Sequence, residues 1–122
     1  MPRLRAGLFY GQNKMINRIA VKQIDGKMWV TCEDFYYKGF TVPSGFCFDG
    51  ASVPRVLWGF MNPSGKAFYP ALLHDYLLEE PREVSRAHSD WVFKQALKDY
   101  GVGRIRTRLA YMAVSAYGKI KK

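Results

Sequence analysis

The chain is short of several things that would have fixed its class at once. It has only two cysteines, Cys32 and Cys47, and neither belongs to a C-x-x-C pair. A zinc knuckle is therefore unsupported, and two isolated cysteines without an export signal are expected to be free thiols. No apolar run approaches the roughly 20 residues of a membrane-spanning helix. The basic start, MPRLRAGLFYGQ, is not followed by an apolar core, which argues against a secretory signal. There is no G-x-S-x-G elbow, no phosphate-cradling P-loop, no internal repeat and no low-complexity tract. Serine hydrolases of the elbow type and P-loop nucleotidases are set aside on that ground. A thiol nucleophile at Cys47 has no support either; the expected role is a buried strand cysteine.

Acid is missing from both ends. Residues 1–22 carry five basic side chains and no acidic one, and residues 103–122 carry six and none. The middle holds all ten acidic residues against eight basic ones, so the net charge of +9 resides in the termini. Such ends suit an anionic partner: nucleic acid, a bilayer surface or an acidic protein assembly. They equally suit plain solubility. What is abundant is aromatic and aliphatic. With 122 residues, 48% hydrophobic and 16% aromatic, the chain can close one real core.

Taken in order, residues 1–14 read as a basic arm, and 15–122 as a single domain. Residues 15–50 read mostly as strands. Asp25-Gly26 is a turn signal between Ile19/Val21 and Met28/Val30, and Lys38-Gly39 is another between Glu33–Tyr37 and Phe40–Val42. Pro43-Ser44-Gly45 turns the chain again into Phe46–Phe48. Residues 51–118 read mostly as helices. A short one over 55–60 starts at Pro54 with Ser52 as cap. A second covers Ala67–Glu79, its regular part starting with Pro70 near the first helical position. A third runs from a Ser85 cap to Tyr100 and stops at Gly101. The last, about Arg104 to Tyr117, has an apolar stripe of Ile105, Leu109, Met112, Ala113, Ala116 and Tyr117. The predicted fold is α+β: a small antiparallel sheet followed by three to four helices, two of them antiparallel.

The chemistry gathers between Phe46 and Asp90. Asp90 shares a helix face with Phe93, Leu97 and Tyr100, where a lone carboxylate would be costly. It needs a partner, either Arg86 one turn back or His74 on the neighbouring antiparallel helix. His74 and Asp75 are adjacent and point about 100° apart, so each would have its own role. His74 could turn to Asp90, which would fix its tautomer and leave the other ring nitrogen as a base. Asp75 could turn to Asp49 and, with loop carbonyls near Gly50, hold a hard cation such as calcium or magnesium. A His–Asp pair on adjoining helices also serves as a buried clamp, and Asp-Gly is often turn chemistry alone. Arg104, Arg106 and Arg108 with Tyr111 and Tyr117 form a candidate anion-binding surface, with nucleic acid among its partners.

The run Phe48-Asp49-Gly50-Ala51-Ser52-Val53-Pro54-Arg55, with Trp58, then His74-Asp75-Tyr76-Leu77, then Arg86, Ser89, Asp90, Phe93, Ala96 and Leu97, resembles a family of short phage and prophage proteins of unknown function. The resemblance spans roughly Trp29 to Gly118. It implies a phage origin, a place in the host bacterial cytoplasm or the virion, and other phage structural proteins or an anionic envelope surface as partners. The family usually reads H-D-Y-L-Y, whereas this chain has Leu78 at the last position.

A more distant similarity is to the secreted calcium-dependent phospholipases of the A family. Phe68-x-x-Ala71-x-x-His74-Asp75 and Asp90-x-x-Phe93 are similar to their arrangement. It implies that His74 activates water, Asp90 orients it and Asp75 binds calcium, which would polarise the ester. The cysteine framework and the tyrosine of those enzymes are missing, and their calcium loop is reduced to Asp49-Gly50. Two functions are thus expected. One is a metal-assisted hydrolase with His74 and Asp90 catalytic, Asp49 and Asp75 on metal, and Ser52, Arg55, Tyr76 and Arg86 in support, acting on a lipid ester or peptidoglycan. The other is a non-enzymatic virion or assembly protein whose His/Asp cluster is a structural clamp.

Overall fold

In the computed structural model the described residues are 18–26, 28–49, 54, 57, 65–79 and 83–121, without the side chains of 25 and 117–121. The basic arm, Gly50, Ser52, Arg55, Trp58 and the short helix expected over 55–60 lie outside them. Five strands come first: β1 (Val21–Asp25), β2 (Met28–Thr31), β3 (Phe35–Tyr37), β4 (Phe40–Val42) and β5 (Cys47–Phe48). Among the described residues three helices follow: α1 (Phe68–Leu77), α2 (Arg86–Asp99) and α3 (Arg104–Lys121). The α+β order agrees with the one read from the sequence.

The strands form two small antiparallel units. One is a three-stranded sheet in the order β1-β2-β5, the other the hairpin β3-β4. Lys38 and Gly39 both have positive φ, 40° and 90°, the two-residue turn whose twist matches the strands it joins. In β3, Phe35 and Tyr37 are buried and Tyr36 is exposed, the alternation a half-covered strand demands. The first hairpin differs from expectation by one residue. Asp25 pairs with Met28, so it ends β1 rather than opening the turn. Thr31 then does work that no turn signal advertised. Its buried Oγ1 donates to the Pro43 carbonyl (3.0 Å) and accepts from the Phe46 N–H (3.0 Å), and its carbonyl accepts from Gly45 (2.7 Å). One side chain thus fixes the turn that leads into β5.

α1 is buried nearly all round, from Phe68 through His74. Such a helix needs cover on every side. The sheet side is an aromatic and aliphatic cluster joining Phe35, Val42, Phe48, Phe68, Tyr69, Leu72 and Leu73 to Val92, Ala96 and Tyr100. The opposite side packs Ala67 and Ala71 against Leu57, Phe93, Leu97, Val102, Ala110 and Val114. Pro70 sits two residues into the helix rather than at its first position, still within the first turn, where its missing N–H leaves no bond unmade.

α1 and α2 are antiparallel. Tyr69 stacks on Tyr100 and His74 on Phe93, so later residues of one meet earlier residues of the other. Ser85 caps α2 by accepting from the His88 N–H at 3.0 Å, and Gly101 (φ 89°) ends the turn beyond it. α3 corrects the sequence reading most. Its buried residues are Thr107, Ala110 and Val114, while Ile105, Leu109 and Met112 are 77%, 47% and 56% exposed. The stripe exists, but it faces away from the core.

Candidate functional site

His74 is the seventh residue of α1 and is itself fully buried, so its imidazole must find a polar partner inside the protein. The antiparallel α2 supplies it. His74 Nε2 is 2.8 Å from Asp90 Oδ1, and the pair is sealed, with His74 0% and Asp90 3% exposed. Phe93, one turn beyond Asp90, stacks on the imidazole at a ring separation of 4.6 Å. Of the two partners weighed for Asp90, His74 is in direct contact with it. Arg86 is half-buried at the start of α2. Ser89 is also enclosed, and its hydroxyl donates to the Ser85 carbonyl at 3.1 Å.

Asp75 projects elsewhere, as adjacency on a helix requires. With Asp49 it borders an open hollow of about 270 Å³, together with Met28, Phe46, Cys47, Phe48, Leu78 and Glu79. His74 is not among these lining residues. The sequence reading had loop, helix and antiparallel helix converge at one point. The structure describes a buried His74–Asp90 pair, and an open hollow that Asp49, Asp75 and Glu79 border. Glu79 was missed; it lies two residues beyond the end of α1, where the chain leaves the helix beside Asp75. Cys47 was expected to be buried, but it is exposed because β5 turns Phe48 inward. Tyr76 packs edge-on against Phe46 with 5.3 Å between ring centres.

A hard cation takes six or more oxygen ligands in the case of calcium. Among the described residues no three His, Cys, Asp or Glu side chains come together in a way that could hold a metal. The loop carbonyls near Gly50 that were expected to join Asp49 and Asp75 in holding a cation lie outside the described residues. A general base also needs water at its free nitrogen. An imidazole with no exposed surface, stacked on phenylalanine, does not offer that in this conformation.

A second polar contact, part-buried, lies at the far end of α2. Tyr37 donates its hydroxyl to Asp99 Oδ2 at 2.5 Å, and Lys38 Nζ meets the same oxygen at 3.0 Å. Burial pushes the Tyr37 phenol well above its ordinary range, and the Asp99 carboxylate beside it pushes the same way. Burial also raises Tyr69, an effect partly offset by the positive charge of Arg18, and its hydroxyl donates to the Ile19 carbonyl at 2.9 Å. These contacts tie the β3-β4 hairpin and the segment before β1 to the helices.

On α3 the arginines Arg104, Arg106 and Arg108 are all exposed. A rise of about 100° per residue sets Arg104 and Arg108 along one side and Arg106 on the other, with Ile105 and Leu109 between them. No helix among the described residues is long and apolar enough to cross a membrane.

Comparison with curated proteins and with solved structures gave no match. A family model did match, over residues 27–114, and its description is a protein of unknown function, DUF1353. The matched span runs from β2 through most of α3 and includes both the His74–Asp90 pair and the acidic hollow. The chain belongs to the DUF1353 family.

Proposed function

We propose that the protein is a non-enzymatic phage virion or assembly protein in which His74 and Asp90 latch α1 to α2. The observation that carries this reading is the burial of the pair: a 2.8 Å contact with both residues at 3% exposure or less. A hydrolase working through His74 would need substrate and water at the imidazole, whereas the ring is covered by Phe93. The phage assignment, and with it a place in the virion or the host cytoplasm, rests on the motifs around Asp49 and His74-Asp75.

Two measurements on the same protein test the reading. Wild-type protein is incubated with anionic phospholipid vesicles and with purified peptidoglycan, each with and without calcium. No turnover is expected. His74→Ala is then melted beside wild type, and a clear loss of stability is expected. Turnover that His74→Ala abolishes without lowering the melting temperature would sink the proposal in favour of the hydrolase.

A further inference from the structure

α3 is attached to the domain by Thr107, Ala110 and Val114, all at most 3% exposed. About 180° away, Ile105, Leu109, Met112 and Ala116 form a ridge along the helix, spaced four, three and four residues apart. That spacing is the narrow seam of a coiled coil, with Leu109 and Ala116 at a and Ile105 and Met112 at d. Arg106 then falls at e and Arg108 at g, the positions whose charge selects a partner helix. Beside the start of the ridge is a broad open hollow of about 760 Å³, bordered by Gly103, Arg104, Ile105, Arg106 and Leu109.

We infer that this ridge docks an acidic amphipathic helix of another protein, with apolar residues in the seam and Glu or Asp flanking it. Charge selects among occupants. Residues 103–122 contain no acid, so a second copy would bring basic helix against basic helix. The arm at residues 1–14 is basic as well and is repelled for the same reason. A bilayer-seated helix carries a broad apolar face with large residues along its length. This ridge is narrow, tapers to the small residues Ala113 and Ala116, and has arginines on both flanks of its first turn. The inference is independent of the latch reading, because it uses none of the residues around His74.

The probe is a labelled synthetic peptide of about three heptads, with Leu at a and d and Glu at e and g. Binding to the full chain is followed by fluorescence anisotropy at low and high salt. Saturable binding that weakens with salt is expected. Leu109→Glu should weaken it at least about tenfold, as loss of a central anchor does. Arg108→Glu should weaken it by about threefold and improve binding of the same peptide with Lys at e and g. Both sites are exposed, so both variants should melt like wild type. A scrambled acidic peptide, anionic vesicles and a DNA duplex are run in parallel, and the chain alone is sedimented. The inference is overturned by no binding at roughly 100 μM peptide, by equal binding of the scrambled peptide, by binding only to vesicles or DNA, or by a wild-type dimer that Leu109→Glu dissociates.

Discussion

Replacing His74 with alanine removes three things at once, and their sum can be worked from the geometry. The first is the 2.8 Å contact to Asp90, whose loss strands a buried polar group at about 1–3 kcal/mol. The second is the ring stack on Phe93 at 4.6 Å, about 0.5–1.5 kcal/mol. The third is the space left in a helix with no exposed surface there, about 1–2 kcal/mol after partial collapse. His74→Ala should therefore lose about 3–6 kcal/mol, a large share of the 5–15 kcal/mol typical of a domain. At about 4 °C per kcal/mol for this size, the melting temperature should fall by roughly 12–24 °C. Asp90→Asn keeps the shape and one acceptor, so it should cost only about 1–2 kcal/mol. The pair of changes His74→Phe and Asp90→Leu removes both polar groups together, and should cost less than the two changes taken singly. Urea unfolding followed by tryptophan fluorescence, with Trp29 and Trp91 as reporters, gives all four corners of the cycle. If His74→Ala is within about 0.5 kcal/mol of wild type, the latch does not exist and the burial argument is wrong.

Three further outcomes follow from the described contacts. Thr31→Val loses both side-chain bonds to the 43–46 turn and should cost about 1–2 kcal/mol, with hydrogen exchange at Phe46 rising before that of the helices. Tyr37→Phe should cost about 1–2 kcal/mol at neutral pH. Because the folded phenol is raised, its stabilisation is full below the unfolded value near pH 10 and is lost as pH climbs above it. The variant should therefore lose less stability than wild type between about pH 9.5 and 11.5, measured by urea unfolding at fixed pH. Millimolar calcium or magnesium should leave the melting temperature within about 1 °C, and a rise that Asp75→Asn removes would restore the metal reading.

Much of the architecture was legible because it rests on local chemistry. Lys38-Gly39, the Ser85 cap and the Gly101 stop each need particular backbone angles or a side-chain acceptor, and these leave marks in the sequence. The His74–Asp90 contact was legible too, since a carboxylate on an apolar face must be answered from somewhere. What was not legible depends on which neighbour a surface meets. Periodicity finds the ridge on α3 but does not say whether the core lies under it. The small face of Thr107, Ala110 and Val114 lets α3 approach closely, and that choice is made by packing against α2. Thr31 is equally silent, because its partners at Pro43 and Phe46 are set by how β2 and β5 pair.

The burial of α1 has a consequence for how the chain is made. During synthesis its residues 68–74 leave the ribosome before α2 and α3 exist to cover them. One side can be sheltered by the strands already formed, but the other awaits Phe93, Leu97, Ala110 and Val114. Until then a run of apolar side chains is open to wrong partners, and the domain closes only when α3 arrives. A pause in translation between Leu77 and Arg104 should thus be the most hazardous moment in the life of this protein, the point at which chaperone engagement or aggregation is decided.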